Sequence, residues 1–116
     1  MGEARDVNLF SYGTLRQAGV QMASFGRLLD GCEDILPGYR CAMVEITDPE
    51  VLAKSEARFH PIAERTDDPD DETPGMVFQI TESELAAADA YEVSDYRRVL
   101  ARLKSGLEAW VYIKAV

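Results

Sequence analysis

Residues 7–16, Val7-Asn8-Leu9-Phe10-Ser11-Tyr12-Gly13-Thr14-Leu15-Arg16, decide how the chain is read. Val7, Leu9 and Ser11 alternate with Asn8, Phe10 and Tyr12, and both sets contain apolar residues. That pattern predicts a strand with both faces occupied. Gly13 ends it, because glycine lets the backbone turn sharply and approach a ligand closely. Successive N–H groups in such a turn can form a nest for an anion. The segment is too short for a P-loop, and no GKS or GKT follows. These residues leave two readings open, a plain tight turn and an anion site.

Working outward, 17–29 reads as a helix with Val20, Phe25 and Leu28 or Leu29 as a partial apolar stripe. Residues 35–46 hold a turn signal at Pro37-Gly38, followed by a strand from Tyr39 to Val44. Asp48-Pro49 suits the start of a short helix through Val51, Leu52 and Lys54. Phe59 to Ala63 predicts a strand that Pro61 confines to an edge or makes irregular. Glu64 to Glu72 reads as a polar loop, Gly75 to Ile80 as a strand and Thr81 to Glu92 as a helix. Tyr96 to Leu103 and Leu107 to Ala115 read as strands of a hairpin turning at Lys104-Ser105-Gly106. No repeat or linker divides residues 1–116, so one domain is expected. Strands interrupted by helices without regular alternation predict an α+β domain with a curled mixed sheet.

The chain has 116 residues, with 12 Lys and Arg against 21 Asp and Glu, a net charge of −9. That balance argues against binding nucleic acid, which needs a basic footprint, and against an anionic membrane surface. No apolar run approaches the ~20 residues that cross a bilayer, and Met1 to Asp6 has no secretory pattern. Cys32 and Cys41 match no metal spacing and read as reduced thiols, so a cytoplasmic location is expected. His60 has no evident Ser or Cys partner for a hydrolase triad. The pairs Asp67-Asp68 and Asp70-Asp71 lack EF-hand spacing and read as a solvated loop rather than a metal site.

Two further segments carry possible chemistry. Thr81-Glu82-Ser83-Glu84 has the form of a capping box and sets the start of the helix. Leu85, Ala88, Asp89 and Glu92 then share one face, apolar at its start and acidic at its last turn. If that face looks inward, burial and the negative end of the helix dipole both raise the pKa of Glu92, as a general acid/base requires. If the helix rolls so that Ala87 and Tyr91 face the core, Glu92 is solvated. After the helix, Asp95-Tyr96-Arg97-Arg98 leads into a strand with Arg98, Arg102 and Lys104 on one side. This is either a solvated face or a cation or Tyr hydroxyl near a pocket that holds a substrate carboxylate. Trp110 and Tyr112 alternate in the final strand and read as core or face residues.

Taken in order, several blocks resemble the gamma-glutamylcyclotransferase-like superfamily, in particular its gamma-glutamylamine cyclotransferase-like branch. They are Phe10 to Arg16, Leu36-Pro37-Gly38-Tyr39, His60-Pro61-Ile62, Gly75 to Ile80, Asp89-Ala90-Tyr91-Glu92, Tyr96-Arg97-Arg98 and Ala109 to Ile113. The paired YGTL and D-x-Y-E blocks at this separation are the specific part. The resemblance implies a small mixed β-barrel with flanking helices and a cavity at the YGTL turn. It implies cleavage of a gamma-glutamyl amide by the substrate's own α-amine, giving 5-oxoproline and a free amine, with no cofactor and no metal. Glu92 matches the family's acid/base, and Tyr12, Gly13, Thr14 and Leu15 match the turn that binds the glutamyl end. Tyr96 matches a tyrosine lining the same cavity. Ala88 stands where the family usually has leucine, which implies looser packing under the helix. Members of the gamma-glutamylamine branch often carry a tail beyond the position of Val116 that helps form the pocket.

The expected partner is therefore a small gamma-glutamyl molecule. Two alternatives stand beside the cyclotransferase: a non-catalytic small-molecule binding module, and removal of a gamma-glutamyl protecting group from a pathway intermediate. Six acids and one arginine fall within 64–72, so more than half of the net negative charge belongs to that segment and says little about the substrate.

Overall fold

The computed structural model describes residues 4–45, 49, 59–66, 68–92 and 96–114, and for 43–45 and 59–61 it describes the backbone. The elements are β1 (Val7–Ser11), a 3₁₀ turn (Thr14–Arg16), α1 (Ala18–Phe25), β2 (Gly31–Pro37), β3 (Tyr39–Glu45), β4 (Phe59–Arg65) and β5 (Glu72–Ile80). They continue with α2 (Glu82–Tyr91), β6 (Tyr96–Arg102) and β7 (Glu108–Lys114).

β1 is the central strand of a five-stranded mixed sheet ordered β2-β5-β1-β7-β6. It runs antiparallel to β5, from Val7 opposite Ile80 to Ser11 opposite Met76, and parallel to β7, with Leu9 opposite Trp110. β3 and β4 form a separate antiparallel pair. The two-faced alternation of β1 is realised. Val7 and Leu9 pack with Phe78, Ile80 and Tyr112 beneath the helices, against Val20, Leu85, Ala88 and Tyr91. Phe10 and Tyr12 point the other way, into a second cluster with Leu36, Ala63, Val77, Val111 and Ile113. Burying apolar surface on both faces at ~25 cal/mol per Å² supplies most of the drive to fold.

α2 starts as the sequence predicts. The Thr81 hydroxyl accepts the Glu84 N–H at 3.1 Å, and the Glu84 carboxylate accepts the Thr81 N–H at 2.9 Å. Glu84 also takes two hydrogen bonds from Arg27, at 2.7 and 2.8 Å, tying the loop after α1 to α2. The Arg27 guanidinium holds the Glu84 carboxyl below its ordinary value. Ala88 is fully buried under the helix.

The expected barrel does not close among the described residues. The sheet curls until its two edges meet at one corner, where the Lys104 N–H donates to the Ile35 carbonyl at 2.9 Å and the Ser105 hydroxyl donates to Asp34. Elsewhere β2 and β6 form no ladder, and the β3–β4 pair lies as a separate sheet. The strand through Ile35 begins earlier than its apolar residues suggest, at Gly31, because β5 supplies a pairing partner to a polar edge. The helix predicted over 17–29 is shorter, since Gly26 adopts the left-handed conformation (φ 71°) and caps Met22. Leu28 is then exposed, while Leu29 packs against the core. The polar loop narrows to 66–71, because β4 runs on to Arg65 and β5 starts at Glu72. The short helix predicted at Asp48 lies outside the described residues apart from Pro49, and Ile46 and Ala115 lie outside them too.

Gly75 serves a close approach. A Cβ there would press on the Ser11 carbonyl oxygen and come within 2.7 Å of the Phe10 ring. Only glycine lets β5 lie this near the end of β1, the end from which the next feature is built.

Candidate active site

The turn that follows β1 is pinned from four sides. The Ser11 hydroxyl accepts the Gly13 N–H at 3.3 Å, and Arg16 donates its Nε–H to the Gly13 carbonyl at 3.2 Å. The Thr14 and Tyr91 hydroxyls share a hydrogen bond of 2.8 Å, which joins the turn to the end of α2. The buried Gln21 side chain donates to the Leu15 carbonyl at 2.9 Å and accepts the Leu29 N–H at 2.9 Å. Thr14 and Leu15 open the 3₁₀ turn, so their N–H groups have no partner within it.

Tyr12 has a mechanical task as well. Its hydroxyl donates to the Tyr112 carbonyl and accepts the Ala63 N–H at 2.9 Å. One phenol thereby bolts β1 to β7 of its own sheet and to β4 of the other. Burial pushes its pKa well up, so the hydroxyl stays protonated.

A cleft opens beside this turn, lined by Phe10, Ser11, the turn from Tyr12 to Leu15, Glu92, Tyr96 and Tyr112. The cavity is narrow, about 20 Å³, well below the ~300–1,000 Å³ of ordinary small-molecule sites. Glu92, Tyr12, Gly13, Thr14, Leu15 and Tyr96, singled out in the sequence, thus all line one cleft. Glu92 is the C-cap of α2, and its N–H bonds the Ala88 carbonyl at 3.1 Å. Its surface stays partly open, yet surrounding atoms exclude most water from its carboxyl. Burial, and secondarily the charge of Asp89, push its pKa up to about 8. Between the two helix orientations open in the sequence, the observed one buries Ala88 and Tyr91 together and directs Glu92 into the cleft.

The residues predicted around Arg98 are used differently. Arg98 pairs with Asp89 at 2.9 Å and stacks over Trp110 at 4.4 Å. Asp89 also accepts the Tyr112 hydroxyl at 2.7 Å, so the cation braces a wall of the cleft. Lys104 is in the turn beyond β6, bound to Glu72 at 2.9 Å. Tyr112 and Gln21 were not legible as site residues. An aromatic in an alternating strand reads as core, and a glutamine in a helix reads as surface. The only sequence signal for Gln21 is a polar residue between Val20 and Met22 on a short helix.

In this α+β fold the Tyr12 to Leu15 turn and a carboxyl of raised pKa share one cleft, and such a carboxyl can accept and return a proton near neutral pH. A family model described as gamma-glutamyl cyclotransferase, AIG2-like, matches residues 9–116, and the chain belongs to that family. The family generally includes cyclotransferase enzymes. No curated protein matches the chain. Among solved structures, the Arabidopsis thaliana protein At3g28950.1 superposes with a TM-score of 0.75 at 19% identity, covering 98% of this chain and 65% of its own. The Pyrococcus horikoshii protein PH0828 gives 0.67 at 19% identity, covering 96% and 80%. The Homo sapiens protein loc79017 gives 0.69 at 14% identity, covering 97% and 69%. At these identities the likeness is one of fold, and the chain spans just under two thirds of the Arabidopsis protein. Among the described residues no helix is long and apolar enough to cross a membrane.

Proposed function

We propose that the chain is a cyclotransferase that releases 5-oxoproline and a free amine from a small gamma-glutamyl amide, with Glu92 as the acid/base. The observation that carries this reading is a carboxyl of pKa about 8 sharing one cleft with the Tyr12 to Leu15 turn.

The nucleophile, the substrate's α-amine, is already tethered to the carbonyl it attacks. The protein's main task is to hold the ring-closing conformer, which orientation makes fast. Thr14 and Leu15 N–H groups receive an anionic oxygen of the substrate. Glu92, as carboxylate, takes a proton from the α-ammonium. The freed amine forms a C–N bond to the side-chain carbonyl carbon, closing a five-membered ring. The acid form of Glu92 protonates the departing nitrogen, and the restored carboxylate takes the second proton from the ring nitrogen, which ends as the lactam N–H. The C–N bond to the departing amine breaks, and Glu92 passes that proton on to the amine, which leaves as an ammonium. One group of raised pKa serves all these transfers. Tyr96 and the Tyr12 ring flank the substrate.

The test is 5-oxoproline release from a panel of gamma-glutamyl amines and dipeptides, alongside Glu92→Gln. Removing the acid/base lowers turnover by roughly 10²–10⁴-fold. Turnover that survives the substitution unchanged rejects the mechanism. Ligand-induced thermal stabilisation without product from any panel member would instead make the cleft a binding site only.

A further inference from the structure

Asp89 stands where the stability of the fold argues against it. It lies in the last turn of α2, toward the negative end of the helix dipole, and that turn holds no basic residue. Glu92 follows one turn later, so two carboxyl groups share the end of one helix. Two side chains from other elements converge on Asp89. Arg98 of β6 meets its Oδ1 at 2.9 Å, and the Tyr112 hydroxyl of β7 donates to the same oxygen at 2.7 Å. Arg98 is held in turn by its stacking over Trp110. Reversing the pair, with the cation on α2 and the acid on β6, would make the same tie and would favour the dipole. What the observed polarity adds is a negative charge one turn from Glu92.

Among the described residues, the titratable groups gathered around Glu92 are Tyr12 of β1, Tyr96 of β6, Tyr112 of β7 and Asp89 of α2. Burial pushes the Tyr12 and Tyr112 hydroxyls well up, and Asp89 adds to the effect on Tyr112. Both hydroxyls therefore stay protonated and bring no charge. Tyr91, in the same turn of α2, is hydrogen-bonded to Thr14. Asp89 supplies the charge that acts on Glu92, and Arg98 offsets it.

We propose that Asp89 is a positioning residue for Glu92: the field of its carboxylate keeps the proton on Glu92, and Arg98, bound to that carboxylate, limits the field. The pair sets the pH at which Glu92 changes from acid to base, and its part in catalysis rests on the reading of Glu92 given above. The Asp89 side chain is 42% exposed, so solvent screens its field. Two unit charges about 6 Å apart, as on successive turns of a helix, still shift one another by about half a pH unit in a water-like medium.

The experiment follows the Glu92 carboxyl carbon by carbon-13 NMR from pH 5 to 10, in uniformly labelled protein without substrate. The resonance is assigned by its loss in Glu92→Gln. Asp89→Asn removes the negative charge and frees Arg98, so the titration midpoint should fall by at least about half a pH unit. Arg98→Gln leaves Asp89 uncompensated, so the midpoint should rise. Loss of a merely structural tie would move both variants the same way or neither. Arg27→Gln removes a paired cation at the other end of α2 and should leave the midpoint within about 0.2 pH unit, since salt screens charge at that range. The proposal is overturned if Asp89→Asn does not lower the midpoint, if Arg98→Gln does not raise it, or if Arg27→Gln moves it as far as Arg98→Gln. Should Asp89→Asn fail to fold, Arg98→Gln and its control decide alone. Where a gamma-glutamyl substrate turns over, the acid limb of kcat/KM should move with the titration, down in Asp89→Asn and up in Arg98→Gln. A limb that stays put while the titration moves overturns the positioning role. Titration shifts with no turnover of any substrate would instead reject the cyclotransferase reading and leave the control of Glu92 by Asp89 and Arg98 standing.

Discussion

Glu92→Gln should change how stability depends on pH, quite apart from catalysis. The Glu92 carboxyl has a pKa of about 8 in the folded chain, against 4.5 when it is unperturbed. Between those values the folded state holds a proton that the unfolded state has lost. With more protons bound in the native state, stability falls as pH rises. The loss begins near pH 4.5 and is complete above pH 8. At 1.36 kcal/mol per pKa unit it totals up to about 5 kcal/mol, of which about 3 is lost by pH 7. Gln resembles the protonated acid in shape and does not titrate. Wild type and E92Q should thus be similar near pH 5, and E92Q should become progressively the more stable up to pH 9. Urea unfolding of both proteins at unit pH intervals from 5 to 9 measures the difference, and carboxylates elsewhere cancel in the comparison. A difference that stays constant to about 0.5 kcal/mol across that range would refute the burial of this carboxyl, and with it the physical case for its role.

The same group governs a pH–rate profile: kcat/KM for a gamma-glutamyl substrate should climb about tenfold per pH unit and level off near pH 8, and a flat profile from 5.5 to 8 would exclude Glu92 as the base. Tyr12→Phe leaves the Ala63 N–H and Tyr112 carbonyl without their shared partner and should cost about 2 kcal/mol in urea unfolding while keeping the ring in the cleft. Gly75→Ala drives a methyl against the Ser11 carbonyl and should lower stability by about 1–3 kcal/mol, with a loss of turnover from displacement of the turn. Thr81→Ala removes the cap of α2 and should cost about 1 kcal/mol in the same assay, with little change in KM.

The parts of the fold that show in the sequence are those with a local cause. The two-sided alternation of β1, the Thr81–Glu84 cap and the turn before Leu107 each depend on neighbours a few residues apart. β2 is hidden because its first residues are polar and become a strand only by pairing with β5. Barrel closure depends on where two distant edges end, which no short window contains. The site divides in the same way. The strand-to-turn block and Glu92 can be read from spacing and a known pattern. Tyr112, Gln21 and the brace from Arg98 through Asp89 arise from tertiary proximity across as many as 23 residues in the Asp89–Tyr112 pair. Arg98, which the sequence leaves open between a solvated face and a pocket that holds a substrate carboxylate, pairs with a carboxylate of the protein's own.

β1 and β7 lie side by side, and the Tyr12 hydroxyl reaches a carbonyl 100 residues away along the chain. Few local contacts can substitute for that pairing, so loop closure must precede its reward and folding should be slow for a chain of this size. During synthesis at about 5–20 residues per second, the Tyr12 to Leu15 turn waits roughly 5–20 s for the strand that walls it. A nascent chain therefore carries the Tyr12 to Leu15 turn without the cleft it lines. The cleft comes into being as one event, when β7 inserts beside β1.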